Sequence, residues 1–219
     1  MKTAIVAGAS GLIGSELIQK LVNSDQYQII YSLVRRKSGF VHAKISELII
    51  DFDKMDQLKF EEPVDDVFCT LGTTMKQAGS REKFKKVDYE YVVALANLAK
   101  QAGASKFLVI SSMGANPKSS VFYSQVKGMT EEALKNIGYN QLVILRPSLL
   151  IGERSETRVA ERWSRFFMKA LNHLIPDNYK AIPAERVAEC MLKMALKSTD
   201  RISIVKSGEI LNYELLLMR

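Results

Sequence analysis

Near its amino terminus the chain reads Ala4-Ile5-Val6-Ala7-Gly8-Ala9-Ser10-Gly11-Leu12-Ile13-Gly14. An apolar run of β-strand type stops at the first glycine, and an apolar pattern of helical period follows it. The three glycines permit a tight turn, a close approach of backbone to a phosphate, and close packing of helix on sheet, in that order. The free N–H groups and positive dipole end of the helix would face that phosphate. A purely structural turn is the alternative, but the strand-turn-helix context favours a dinucleotide site.

The remaining sequence alternates between strand and helix patterns. We predict further strands at 28–34, 47–50, 66–69, 106–110, 141–145 and 201–205. We predict helices at 11–23, 81–101, 120–135, 156–172 and 184–197. Several of the strands are continuously apolar, which is typical of a parallel sheet covered on both faces. With right-handed crossovers this predicts an α/β protein with a doubly wound parallel sheet, the Rossmann fold.

The length of 219 residues favours one domain over the whole chain, 1–219. Within it we expect residues 1–150 to form the cofactor-binding core and residues 151–219 to form a small substrate-side extension. No apolar run is long enough to span a membrane, and no leader pattern precedes the first strand, so we expect a cytoplasmic protein. Cys69 and Cys190 stand in apolar contexts and are expected to be buried, reduced thiols. His42 and His173 have no partner pattern, and no metal-binding spacing occurs.

The formal net charge is +7, which is compatible with nucleic acid, an anionic membrane or a basic soluble surface as partner. No nucleic-acid-binding motif accompanies it. Four arginines do recur at helical spacing, at positions 154, 158, 162 and 165. They form either a solvated helix face or a wall that contacts anions of a cofactor or substrate.

The second predicted strand ends in Val34-Arg35-Arg36-Lys37. An enzyme that selects NAD carries a carboxylate near this point, which binds the 2′-hydroxyl of the ribose. A guanidinium instead suits a 2′-phosphate, because its planar donors pair with phosphate oxygens. The sequence therefore favours NADP(H) over NAD(H), with a basic surface loop as the alternative. The third strand ends close to Asp51, a further candidate at the same edge of the sheet.

Tyr123 and Lys127 are four residues apart in a predicted helix and share one helix face. A phenol ionises near pH 10, and a nearby ammonium lowers that pKa, so such a tyrosine serves as a general acid or base. Ser111 closes the strand before this helix, with Ser112 beside it, and its hydroxyl is a candidate partner for a substrate oxygen.

Together these residues resemble the atypical branch of the short-chain dehydrogenase/reductase superfamily. More narrowly, Ser111 to Gly128 and Leu145-Arg146-Pro147-Ser148 are similar to the small oxidoreductases related to the Tat-interactive protein. The resemblance implies an NADPH-binding protein with Ser111, Tyr123 and Lys127 as its catalytic set. The cofactor-binding candidates are then Gly8, Ser10, Gly11, Leu12, Ile13, Gly14, Arg35, Arg36, Asp51, Leu71, Gly72, Tyr123, Lys127, Pro147, Leu150 and Arg158. Many members of the superfamily place an asparagine in the long helix where this chain has Asp88, so a complete proton relay does not follow from the resemblance.

Two functions remain open at this point. The first is an NADP(H)-dependent oxidoreductase that acts on a small carbonyl or alcohol. The second is a non-catalytic NADPH sensor or scaffold that regulates a protein partner. The acid/base pair Tyr123 and Lys127 favours the enzyme, whereas the short substrate portion favours the sensor. Fold alone does not decide between them.

Overall fold

A computed structural model of the chain describes residues 1–151 and 180–216. Seven strands form one parallel sheet in the order β3-β2-β1-β4-β5-β6-β9, and two short strands, β7 and β8, pair separately. The strands are β1 Lys2–Ala7, β2 Tyr27–Val34, β3 Ile45–Ile49, β4 Asp66–Cys69, β5 Lys106–Ile110, β6 Gln141–Arg146, β7 Leu150–Ile151, β8 Ile182–Pro183 and β9 Ile202–Lys206. The doubly wound parallel sheet predicted from the sequence is confirmed.

Helices cover both faces of the sheet. They are α1 Leu12–Val22, α2 Met75–Ala78, α3 Arg81–Lys85, α4 Tyr91–Gln101, α5 Phe122–Ile137, α6 Ala184–Lys197, α7 Ser207–Leu211 and α8 Tyr213–Leu216. One apolar layer joins one sheet face to α1 and α6, and a second joins the other face to α4 and α5. Strand β1 lies at the centre, where the strand order reverses, and ligands of such sheets bind at that point beyond the carboxyl ends of the strands.

The long helix predicted over residues 81–101 is not continuous. It consists of α3, a π-helical segment at Lys86–Glu90, and α4. The π segment carries Asp88, whose side chain is buried. Single π-helical turns inside α-helices occur mostly at functional sites. The hydrophobic period does not reveal such a turn, because the residues on either side of it keep an ordinary helical pattern.

Smaller departures occur at helix ends. Helix α5 begins at Phe122 rather than at residue 120, because Val121 is an extended N-cap residue. The short helix α2 was not predicted; Thr74 caps it, and its hydroxyl accepts a hydrogen bond from the Gln77 N–H over 3.1 Å. No helix in the described ranges is long and apolar enough to cross a membrane.

Residues 184–206 belong to the central layers. Strand β9 pairs with β6 along its whole length, and α6 packs against α1. This part of the predicted extension therefore completes the sheet. Cys69 and Cys190 are both buried and unpaired, as expected. The predicted helix 156–172, its four arginines and His173 lie outside the described residues.

Candidate active site

The turn between β1 and α1 has no room for side chains at two of its glycines. Gly8 has a φ of +88°, and a Cβ on it would lie 2.8 Å from the backbone carbonyl of Thr70. A Cβ on Gly14 would lie 2.1 Å from the Gly8 oxygen, which only a shift of the backbone would relieve. The Gly11 N–H donates to the same oxygen over 2.9 Å and closes the turn. Helix α1 is thus held directly against the tip of β1.

The amino terminus of α1 faces a cleft with its N–H groups uncapped. Gly11 is the N-cap and offers no side chain, and the first turn contains no acidic residue. The positive end of the helix dipole is therefore not neutralised locally, which favours an anion at this point. Ser10, Leu12 and Ser15 line the cleft beside it.

The cleft runs along the carboxyl ends of the strands and has a volume of ≈ 1440 Å³. Most predicted cofactor residues line it, namely Gly8, Ser10, Gly11, Leu12, Arg35, Arg36, Asp51, Leu71 and Gly72. Ile13 and Gly14 do not; both are buried in α1, where Ile13 is part of the core and Gly14 packs on the turn. Nine residues from four separate loops thus converge on one cleft.

Arg35 and Arg36 are both exposed at the tip of β2, and no ion pair engages them within the described ranges. Their guanidinium groups are therefore available to an anionic ligand in the cleft. Asp51, at the neighbouring tip, accepts a hydrogen bond from the Asp53 N–H over 3.0 Å and still lines the cleft.

The opposite wall of the cleft comes from the π-helical segment and its neighbours. Lys83 and Lys86 line it, and Lys86 forms an ion pair with Asp53 over 2.7 Å. The Tyr91 hydroxyl donates to the same carboxylate over 2.8 Å. Sequence reasoning missed this wall, because two lysines three residues apart on a helix usually mark only a solvated face.

Lys127 is buried on α5 and forms an ion pair with Asp88. The distance from its Nζ to Asp88 Oδ1 is 2.8 Å, and the exposed fractions of the two side chains are 7% and 0%. Burial alone lowers the pKa of Lys127, but the charge of Asp88 outweighs it, with Tyr123 contributing, so the pKa is raised. Lys127 is thus a buried cation held against the side chain of Asp88.

Tyr123 lies one turn before Lys127 on the same helix and is half-buried. Its ring packs on Phe84 of α3 with the centroids 5.3 Å apart. The predicted pair is therefore brought together, with the lysine deep in the protein and the phenol nearer to solvent.

The two serines at the tip of β5 have different surroundings. The Ser111 hydroxyl donates to Glu131 Oε1 over 2.5 Å, and Arg146 binds both oxygens of that carboxylate. Ser111 is thus bonded as a donor to a buried ion pair, and its role in catalysis stays a prediction. Among the described residues, the buried hydroxyls of Ser112 and Ser32 have no hydrogen-bond partner. Ser112 lies outside the lining of the large cleft, and its place beside Ser111 at the tip of β5 is what makes it a candidate partner for a ligand.

A small enclosed cavity of ≈ 10 Å³ lies between the two buried ion pairs. Asp88, Ser111, Lys127, Thr130 and Glu131 supply its polar lining. Its size is close to the minimum for one water molecule, and its lining offers several polar partners. No sequence pattern indicates this cavity, because its walls come from β5, α5 and the π segment.

The last predicted cofactor positions lie elsewhere. The Pro147 carbonyl accepts a hydrogen bond from the Met113 N–H over 3.0 Å, and Leu150 pairs with Ile182 across the short sheet. Neither belongs to the lining of the large cleft, and the same holds for Tyr123 and Lys127, of which Lys127 lines the small cavity. Arg158 falls outside the described residues. Within those residues no group of three or more histidine, cysteine or carboxylate side chains could hold a metal ion.

The parallel sheet, the glycine turn and the cleft at the strand tips define a nucleotide-binding protein of the Rossmann type. The chain belongs to the NAD(P)H-binding family, whose model matches residues 8–197. It is 33% identical over 195 residues to the protein HTATIP2 of Rattus norvegicus, covering 87% of this chain and 80% of that protein. It is 34% identical over 178 residues to the mitochondrial protein fmp52 of Emericella nidulans, covering 78% of this chain and 76% of that protein. The resemblance to proteins related to the Tat-interactive protein is thereby confirmed.

Solved structures with the same fold include nucleotide-sugar enzymes. One is MoeE5 in complex with UDP-glucuronic acid and NAD, with a TM-score of 0.71, 17% identity, and coverage of 94% of this chain and 76% of that one. Another is the UDP-glucose 4-epimerase of Thermotoga maritima, with a TM-score of 0.70, 16% identity, and coverage of 98% of this chain and 81% of that one. At this identity the likeness supports the fold alone.

Proposed function

We propose that the protein is an NADP(H)-dependent oxidoreductase that transfers hydride between the nicotinamide and a small carbonyl or alcohol. The observation that carries the proposal is the pairing of Tyr123 with a buried, charged Lys127 on one helix. The Nζ of Lys127 lies 3.7 Å from the position of a Cβ on Gly72, a residue that lines the large cleft. A protein that only binds the cofactor has no need of an acid/base pair. Membership of the NAD(P)H-binding family supports the cofactor class.

The residues of the cleft fit an NADP(H) molecule. The uncapped amino terminus of α1 suits the pyrophosphate, and the absence of Cβ atoms at Gly8 and Gly11 lets the phosphates approach the backbone. Arg35 and Arg36 suit the 2′-phosphate, because these two guanidinium groups, which form no ion pair with any described residue, stand where an NAD-selective protein places a carboxylate. When bound, the cofactor supplies the hydride.

The protein's own residues then donate or accept the proton that accompanies hydride transfer. Tyr123 donates its hydroxyl proton to the substrate oxygen in the reductive direction and accepts it in reverse. Lys127 holds a positive charge behind the phenol, and its contact with Asp88 fixes where that charge lies. Ser112 offers a buried hydroxyl to the substrate oxygen, a role that the sequence suggested for Ser111. Ser111 instead holds the tip of β5 to Glu131.

Replacing Tyr123 by phenylalanine tests this proposal, because it removes the hydroxyl and keeps the ring packed on Phe84. We expect turnover to fall by about 10²–10⁴, the range of general acid catalysis, with NADPH affinity nearly unchanged. Oxidation of NADPH with a panel of carbonyl compounds provides the measurement. Tyr89→Phe is the matched control, because it removes a hydroxyl from the neighbouring π segment and should leave turnover unchanged. Equal turnover by wild type and Tyr123→Phe would refute the assignment of Tyr123 as the general acid. Tight NADPH binding without turnover of any carbonyl would favour the non-catalytic NADPH sensor.

A further inference from the structure

Among the described residues, the charged groups on the buried side of the candidate active site form two ion pairs. Lys127 is paired with Asp88, and one turn further along α5 Glu131 is paired with Arg146. Among the other ionisable neighbours, Cys69 is a thiol whose pKa burial raises to about 12, so it is neutral at physiological pH. Two cations and two carboxylates therefore cancel beneath the cleft.

Asp88 is held in place from three directions. Its Oδ1 contacts Lys127, and its Oδ2 accepts a hydrogen bond over 2.9 Å from the N–H of Thr73, a residue of the cleft wall. Its backbone oxygen accepts one over 2.8 Å from the Thr130 hydroxyl of α5. The carboxylate thus joins the β4 loop, the π segment and α5, and it has little freedom to leave the ammonium.

Only a glycine separates this ion pair from the cleft. A Cβ on Gly72 would lie 3.4 Å from Asp88 Oδ1 and 3.7 Å from Lys127 Nζ, and Gly72 itself lines the cleft. The charges of the pair therefore interact electrostatically with a ligand in the cleft, because Gly72 has no side chain to screen them. In such a partly buried place electrostatic interactions are several-fold stronger than in water.

We propose that Asp88 is a specificity-determining residue that neutralises Lys127, so that the cleft binds oxidised and reduced cofactor with similar affinity. The inference rests on the proposed function, since it places a nicotinamide cofactor in the cleft. The oxidised nicotinamide ring carries a positive charge and the reduced ring carries none. An unpaired ammonium beneath the cleft would repel the oxidised form alone, whereas a neutral pair discriminates little.

Calorimetric titration with NADP+ and with NADPH tests the proposal through the ratio of the two Kd values, a readout that needs no substrate. We expect a ratio within about threefold of unity for the wild type. In Asp88→Asn at pH 6.5, where lysine stays protonated, the affinity for NADP+ should fall about tenfold relative to the affinity for NADPH. Adding Lys127→Met to that variant removes the uncompensated charge and should restore the ratio.

Glu185→Gln is the control. It removes a carboxylate from the exposed ion pair with Lys20, and neither residue lines the cleft, so the ratio should be unchanged. If Asp88→Asn fails to fold, Lys127→Met at pH 8 provides the test instead. In that variant we expect the opposite change in the ratio of the two Kd values. The Asp88 carboxylate, still bonded to the Thr73 N–H, would then favour NADP+ about tenfold.

Ratios that stay within threefold of the wild type in both Asp88→Asn and Lys127→Met would overturn the proposal, as would a wild type that already discriminates tenfold. Either result would leave the proposed function intact, because both cofactors would still bind. A wild type that binds neither cofactor would overturn the proposed function and this inference with it.

Discussion

The two ends of the cleft are built differently. The phosphate end consists of one local turn, Gly8 to Gly14, and two exposed arginines at the tip of the next strand. The catalytic end consists of buried ion pairs whose partners lie 39 and 15 residues apart in the chain, Asp88 with Lys127 and Glu131 with Arg146. In the part of the chain that the structure describes, the arginines at the first end form no ion pair, whereas the charged groups at the second end are paired with one another. The difference separates residues that bind from residues that hold the site in shape.

The phosphate end should respond to substitution through affinity alone. In the double variant Arg35→Ala, Arg36→Ala we expect NADPH binding to weaken by about 2–4 kcal/mol, because charge-assisted hydrogen bonds contribute about 1.5–3 kcal/mol each. Because both arginines are exposed, the free energy of unfolding should change little. Calorimetric titration of NADPH and NADH provides the test, with NADH as the internal control. Equal losses for both cofactors would refute the assignment of the 2′-phosphate to these residues.

The catalytic end should respond through stability. Glu131 is buried, and Glu131→Gln removes its charge while Arg146 keeps partial access to solvent. We expect a loss of about 2 kcal/mol in the free energy of unfolding, below the 3–5 kcal/mol typical of breaking a fully buried pair. Urea denaturation measures it.

The matched control for that variant is Glu185→Gln, which breaks the exposed contact between Glu185 and Lys20 at 3.4 Å. Exposed pairs contribute about 0–1 kcal/mol, so its effect should be the smaller one. If the two variants lost equal stability, the contrast between a buried, structural end and an exposed, binding end would fail.

The same contrast explains how much the sequence revealed. The seven strands of the sheet and the glycine turn follow from local patterns, because apolar runs and the spacing of Gly8, Gly11 and Gly14 are set within a few residues. Arg35 and Arg36 were found in the same way, from their place directly after a strand. These features need no knowledge of which distant segments meet.

The catalytic end depends on contacts between distant segments, and there the sequence revealed less. It gave no sign that Ser111 would bond to Glu131, 20 residues away. It did mark Asp88 as unusual, but not the π-helical turn that carries it. A cytoplasmic location stays a prediction, and one relative bears a mitochondrial name.

A crystal structure of the protein with NADPH tests the central claim most directly. The account predicts the pyrophosphate at the amino terminus of α1, the 2′-phosphate within salt-bridge distance of Arg35 or Arg36, and the nicotinamide ring beside Tyr123 and Ser112. A dinucleotide bound with its 2′-phosphate away from both arginines, or with its nicotinamide remote from Tyr123, would contradict it.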